Sequence, residues 1–275
     1  MLAAKMVWQG VHWRCRRALD EFAVRRLSSR PSCWPCLRRM HLVVGCESSG
    51  TTPISHLLLR DGRTRFLREG ENQWVWELYQ AVYQGRKRVR DYPRLQLFGS
   101  LKVPGFAAIL PQFLEEFPQT RVLYVVRDPR DVVASAYKTW KVTTRDGLRT
   151  IPWVAETWLG ITERDPVARL ARRWQIYLRT SASVPGVTYV RYEDFCADKA
   201  GQISRLASEL GLPIDPQRVR RLCDRQASDS DARDYRPDGP GAWQREGVLN
   251  AVDLRIIEDI CGAEMRQWHY LTAQP

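Results

Sequence analysis

From Met40 to the end of the chain, short apolar runs alternate with segments whose apolar residues recur at helical spacing. "HLVVG" (41–45) reads as a buried strand closed by a Gly/Ser loop, and "PISHLLL" continues it as a helix. "TRFL" (64–67) is short enough for a second strand, and "NQWVWELYQAVYQ" (72–84) has helical periodicity. "LQLFGSLKV" (95–103) reads as a strand, and "FAAILPQFLEEF" (106–117) as a helix with Pro111 at its middle or start. "RVLYVV" (121–126) is the clearest buried strand, and "PRDVVASAYKTW" (129–140) opens a helix directly after it. Residues 142–165 look irregular. A helix over 167–182, a strand over 187–195 and a helix over 200–211 follow. A short helix near 216–225, a Gly/Pro/Asp-rich loop at 229–247 and a last helix at 251–269 complete the pattern.

Strands separated by helices require crossovers, and crossovers give a parallel sheet. The expected architecture is therefore one α/β three-layer domain over 40–275, with four or five parallel strands flanked by helices. Ligands of such sheets sit at the carboxyl ends of the strands, which draws attention to the residues just after 45, 103, 126 and 190. Residues 1–39 are rich in Arg, poor in acids and without the apolar core of a secretory signal, and read as a basic N-terminal extension. No run reaches the roughly 18 apolar residues of a membrane span.

Charge changes the picture only in part. Lys and Arg number 43 against 31 Asp and Glu, a formal net charge of +12, which favours an anionic partner. No aromatic-interleaved basic face is present, so nucleic acid is not expected. Seven cysteines at irregular spacing do not form a secreted disulfide framework. Cys33 and Cys36 have the spacing of half a metal motif, but a second pair is missing, and no metal is expected. The expected location is the cytoplasm, with contact to a membrane surface through the basic N-terminus left open, as is the oligomeric state.

Two stretches carry candidate chemistry. In "GCESSGTT" (45–52), small residues let backbone N–H groups approach an anion, and the following helix N-terminus adds partial positive charge. Ser48, Ser49, Gly50, Thr51 and Thr52 are the candidate contacts; a purely structural turn is the alternative. A triphosphate loop would carry a lysine where Thr51 stands, and the buried strand "RVLYVV" (121–126) ends in Arg127 rather than a magnesium-holding Asp. In "RDPRDVVAS" (127–135), Asp128 is a good N-cap and Pro129 suits the first helical position. Val132, Val133, Ala136, Tyr137 and Trp140 form the expected buried stripe, with Asp131, Ser135 and Lys138 on the polar side. Arg127 and Ser135 can grip one phosphate from both sides, or Arg127 can pair with Asp128 or Asp131 for structure.

In this order, the two stretches resemble the cofactor signatures of the sulfotransferases, enzymes that use 3′-phosphoadenosine 5′-phosphosulfate and are related by fold to P-loop nucleotide kinases. The resemblance implies that the first loop grips the 5′-phosphosulfate and that Arg127 and Ser135 grip the 3′-phosphate. "GSLKVPGFAAILPQF" is similar to the family's lysine-bearing strand, which places Lys102 beside the transferring group. "VTYVRYEDF" resembles a strand ending in Tyr-Glu-Asp, with Tyr192 near the adenine or simply at the core edge. "RPDGPGAWQ" resembles the loop that closes over the cofactor, with Arg236 and Gly239 beside the 3′-phosphate; a flexible basic loop is the alternative. The likeness spans roughly residues 41–270. It departs from the family at Ser48, where a Lys or Arg is usual, and the preceding residue is the acidic Glu47.

The implied activity is transfer of a sulfuryl group to an acceptor hydroxyl of a glycan, glycolipid or small molecule, without a metal. A non-catalytic relative that binds the nucleotide, or a P-loop small-molecule kinase, is the alternative. Candidate bases for the acceptor proton are Glu69 and Glu71, after the short second strand, and His56 on the first helix. Trp153 and Trp158 in the irregular segment are candidates to wall an acceptor pocket.

Overall fold

Five strands, β1 (His41–Gly45), β2 (Phe66–Arg68), β3 (Ser100–Lys102), β4 (Arg121–Val126) and β5 (Val187–Arg191), form one sheet in the order β2-β3-β1-β4-β5. Every neighbouring pair is parallel. The computed structural model describes residues 40–59, 66–69, 73–151, 154, 157–228 and 239–271. Between the strands run α1 (Thr51–Leu59), α2 (Gln73–Tyr83), α3 (Leu110–Glu116), α4 (Pro129–Thr139), α5 (Arg145–Arg149) and α6 (Pro166–Ala182). After β5 come α7 (Tyr192–Ala197), α8 (Lys199–Leu210), α9 (Pro216–Ser228), α10 (Ala242–Glu246) and α11 (Ala251–Gln267). Among the described residues, no helix is long and apolar enough to cross a membrane.

Alternation along the strands sorts the core into two faces. Leu42 and Val44 of β1 join Val122, Tyr124 and Val126 of β4 beneath α2, α3, α4, α6 and α11. Val43, Leu123 and Val125 face the other way, onto Ile54 and Leu58 of α1 and Ile203 and Leu206 of α8. Because both faces are covered, β1 and β4 read as unbroken apolar runs. Each fully buried Val or Leu contributes about 1.5–3 kcal/mol.

Four local expectations are corrected. β3 is only three residues long, because Pro93 opens a 3-10 turn through Leu97 that buries Leu95 and brings the Phe98 N–H to the Leu95 carbonyl. β5 stops at Arg191, and Tyr192 begins α7, whose first turn holds the acids Glu193 and Asp194 where the helix dipole favours them. The segment after 142 contains α5, with Thr144 as its N-cap. On α4, Asp131 and Ser135 are buried whereas Trp140 is 45% exposed. The proline of "FAAILPQFLEEF" sits in the first turn of α3.

The turn after β1 is fixed by contact. Gly50 has φ 85, and a Cβ there would lie 2.2 Å from Cδ2 of Tyr192, itself 2% exposed. Gly186, with φ 76, has open space around its missing Cβ. Gly186→Ala is expected to cost the left-handed backbone strain alone, about 1 kcal/mol. Gly50→Ala adds an overpacking penalty of about 1–3 kcal/mol. Urea denaturation of the two variants checks this; equal losses would show that the Tyr192 ring yields freely.

Candidate functional site

The strand order places the loop after β1 between the end of β3 and the end of β4. Cys46–Gly50 turns tightly: the Ser49 N–H donates to the Cys46 carbonyl at 3.1 Å, and Ser48 takes φ 68. Thr51 and Thr52 then open α1. The Ser49 hydroxyl is fully buried with no hydrogen-bond partner among the described residues. A buried hydroxyl of that kind beside a helix N-terminus and a glycine-lined turn is the donor set an anionic oxygen fits.

Arg127 closes one side. Its Nη1 donates to the Ser48 carbonyl at 2.9 Å, and its guanidinium lies 4.6 Å from the Tyr192 ring centroid. Its Nη2 is 3.9 Å from Oδ2 of Asp131, and its own carbonyl accepts from Trp174 Nε1 at 3.0 Å. Asp131 is 0% exposed because it serves a distant segment. Its two oxygens accept from the Gly241 N–H at 2.9 Å and the Trp243 N–H at 3.0 Å. Arg130, paired with the N-cap Asp128, lies 4.4 Å from the Trp243 ring. Ser135 follows Asp131 by one turn and is 9% exposed. The 239–243 turn, with the Gly239 carbonyl held by Arg245, thus sits on the face of α4 that carries Asp131. Glu193 accepts from the Asp128 N–H and from the Tyr270 hydroxyl, which straps α7 and the chain end to the same turn. Tyr192 is buried beneath Gly50 and Arg127.

The other side is a buried cluster at the ends of β2 and β3. Lys102 pairs in register with Val43 of β1 and Arg68 of β2, so Glu69, the residue that follows β2, lies near it. Glu69 is 6% exposed, and burial pushes its carboxyl up to about 7, aided by Glu47 and opposed by Lys102, Tyr79 and Arg173. Burial lowers Lys102, against the pull of Glu69. The stability that the Glu69 carboxyl contributes is full below about pH 4.5 and is lost as pH rises through about 7. Glu47 is engaged by α6: Oε1 lies 3.4 Å from Arg173 Nη1 and 3.5 Å from the Tyr177 hydroxyl.

The candidates from the sequence therefore fall into place unevenly. Lys102 and Glu69 come together on one flank of the loop, and Arg127, Ser135 and Gly239 belong to the other. Glu71, Arg236, Trp153, Cys33 and Cys36 lie outside the described residues. His56 packs edge-on to Phe66. Trp158 is 7% exposed and packs at a tilt against Tyr79 and edge-to-face with Tyr83, within the core rather than on an open wall. Sequence reasoning missed Asp131 as the anchor of the late turn, and it missed Arg173 altogether. The signal for Arg173 was its position: it shares the helical stripe of Leu170, Trp174 and Tyr177. Among the described residues, no group of three His, Cys, Asp or Glu is placed to hold a metal.

Comparison with known proteins is consistent with this geometry. The pattern described as "Sulfotransferase family" matches residues 60–216, from the segment before β2 to the first residue of α9. Comparison with curated proteins gives no match. Among solved structures, sulfotransferase STF9 from Mycobacterium avium aligns with a TM-score of 0.55 at 14% identity, over 87% of this chain and 80% of that one. Mouse sulfotransferase SULT7A1 complexed with PAP aligns with a TM-score of 0.55 at 14% identity, over 83% of this chain and 85% of that one. Sulfotransferase STF1 from Mycobacterium tuberculosis H37Rv gives 0.52 at 17% identity, over 76% of each chain. At these identities the likeness shows the fold.

Asp131→Ala removes the acceptor of two backbone N–H groups and an acid 3.9 Å from the buried Arg127 guanidinium. Each orphaned donor costs about 1–3 kcal/mol. Asp131→Asn keeps one acceptor oxygen and is expected to lose less. Chemical denaturation of the three proteins checks the order; an Ala variant as stable as wild type would show that this carboxylate does not hold the 239–243 turn.

Proposed function

The chain belongs to the sulfotransferase family, and we propose that it transfers a sulfuryl group from 3′-phosphoadenosine 5′-phosphosulfate to an acceptor hydroxyl of a glycan, glycolipid or small molecule. One observation supports this reading: the loop after β1, with its buried Ser49 hydroxyl, lies between Arg127 at the end of β4 and the buried Glu69 and Lys102 at the ends of β2 and β3. The mouse relative complexed with PAP supports the nucleotide class.

The donor supplies an activated sulfuryl group when it is bound. The loop N–H groups and the hydroxyls of Ser49, Thr51 and Thr52 would hold its 5′-phosphosulfate, which the unpartnered Ser49 hydroxyl supports. Arg127 and Ser135, with the turn at Gly239–Trp243 as a cover, would hold the 3′-phosphate. Lys102 supplies positive charge where the oxygens gather negative charge in the transition state. Glu69 in its ionised form accepts the acceptor hydroxyl proton; the acceptor oxygen forms the new S–O bond as the S–O bond to the phosphate breaks, and the bonding pair leaves with the phosphate. Adenosine 3′,5′-bisphosphate is the other product. Ser48, standing where relatives carry a basic side chain, favours the second reading, a relative that binds the nucleotide without transfer.

The test measures binding of adenosine 3′,5′-bisphosphate by calorimetry and transfer from labelled donor across an acceptor panel. Arg127→Ala is expected to weaken nucleotide binding by about tenfold or more. Lys102→Ala is expected to keep binding and to lose about a hundredfold in transfer rate. The wild-type rate should rise with pH through about 7 as Glu69 ionises, and Glu69→Gln should remove that limb. Absence of affinity for both donor and bisphosphate overturns the proposal; binding of both without transfer to any acceptor establishes the second reading.

A further inference from the structure

Asp131 joins three segments of the site through direct contacts. It is 0% exposed on α4, and each of its oxygens accepts from a backbone N–H of the late turn, Oδ2 from Gly241 at 2.9 Å and Oδ1 from Trp243 at 3.0 Å. The same Oδ2 lies 3.9 Å from Nη2 of Arg127, whose Nη1 donates to the Ser48 carbonyl at 2.9 Å. The loop after β1, the end of β4 and a turn 110 positions beyond Asp131 are thus connected through one carboxylate. Burial of this face of α4 alone would be served by an apolar side chain, since a carboxylate is unfavourable out of water unless it is paired and hydrogen-bonded. Arg130 holds the turn from its other side. Its guanidinium lies 4.4 Å from the Trp243 ring and donates to the Tyr270 carbonyl at 2.8 Å. Within the turn, the Gly239 and Pro240 carbonyls accept from Arg245 at 2.8 and 2.7 Å. Ser135 follows Asp131 by four residues, so the two share a face of the helix.

We infer that Asp131 is the positioning residue for recognition of a 3′-phosphate: it fixes the 239–243 turn against Arg127 and Ser135, and so sets the preference for a 3′-phosphorylated nucleotide over one with a free 3′-hydroxyl. The inference rests on the nucleotide reading above. Asp131 acts through the turn and Arg127 and does not touch the nucleotide. Its charge and its hydrogen bonds have effects of opposite sign. A carboxylate 3.9 Å from the guanidinium repels an incoming anion, so charge alone predicts that its removal tightens binding of the bisphosphate. Positioning predicts the reverse, because a turn released from α4 has to be ordered again when the nucleotide binds. The distances favour positioning: both oxygens reach N–H groups of the turn at hydrogen-bond distance, whereas the contact with Arg127 is longer.

The test measures by calorimetry the affinities of the full chain for adenosine 3′,5′-bisphosphate and adenosine 5′-monophosphate, and takes their ratio. Asp131→Asn keeps the shape and one acceptor oxygen but loses the charge. It is expected to lower the preference for the bisphosphate by about tenfold, and Asp131→Ala by about a hundredfold, with the monophosphate affinity unchanged in both. Hydrogen exchange at the Gly241 and Trp243 amides, followed without nucleotide, should accelerate in the same order. A merely structural role would weaken both nucleotides together and leave the ratio in place. A ratio unchanged or raised in Asp131→Asn overturns the inference, as does an equal loss for the two nucleotides. If Asp131→Ala does not fold, Asp131→Asn decides alone by lowering the ratio or not. Wild type that binds neither nucleotide, or both alike, defeats the nucleotide reading and the inference with it. Wild type that prefers the bisphosphate, with the same preference in Asp131→Asn, defeats the inference alone.

Discussion

The arrangement at the carboxyl end of the sheet depends on one buried cation. Arg127 is 3% exposed, and an arginine so placed destabilises the fold by several kcal/mol unless its surroundings answer its charge and its donors. The answers come from four segments: the Ser48 carbonyl of the loop, the Tyr192 ring of α7, the Asp131 carboxylate of α4 and, at its backbone, Trp174 of α6. The loop conformation, including the left-handed Ser48, follows from the carbonyl that Arg127 draws in. Because Asp131 also holds Gly241 and Trp243, the same side chain reaches indirectly into the last third of the chain.

Much of the sheet was legible because its central strands are covered on both faces. β1 and β4 are unbroken apolar runs, and an N-cap Asp followed by proline marks the start of α4 without ambiguity. β3 was over-read because an apolar stretch of nine residues divides between a 3-10 turn that packs the core and a three-residue strand. The polar face of α4 was misread for a different reason. A helical wheel assigns Asp131 and Ser135 to water and Trp140 to the core, but the 239–243 turn lies 110 positions further on and covers the polar side. Periodicity in one helix carries no information about a partner that distant.

The site itself divided in the same way. Arg127, Lys102 and the glycine turn were visible because each sits at a strand end or in a loop of recognisable composition. Glu47 looked like a defect, an acid in a loop meant for anions. Its partner is 126 positions away on α6, in a stretch that carries several arginines. Only the helical phase distinguishes Arg173, since it alone falls in line with Leu170, Trp174 and Tyr177, and phase alone does not say which buried acid it meets.

Strand order then explains why an acid can stand in an anion loop. With β1 between β3 and β4, the loop separates two electrostatic compartments. On the β4 side, the oxygens of Asp131 are directed at two backbone N–H groups, and one of them lies 3.9 Å from the Arg127 guanidinium. On the β3 side, Glu47 is paired with Arg173 of α6, and burial raises Glu69 and lowers Lys102 beside it. In the proposed reaction, the donor would be drawn to the first flank and the acceptor proton would be taken on the second. The acid at position 47 is met by Arg173 on α6 and still adds to the upward push on the Glu69 carboxyl.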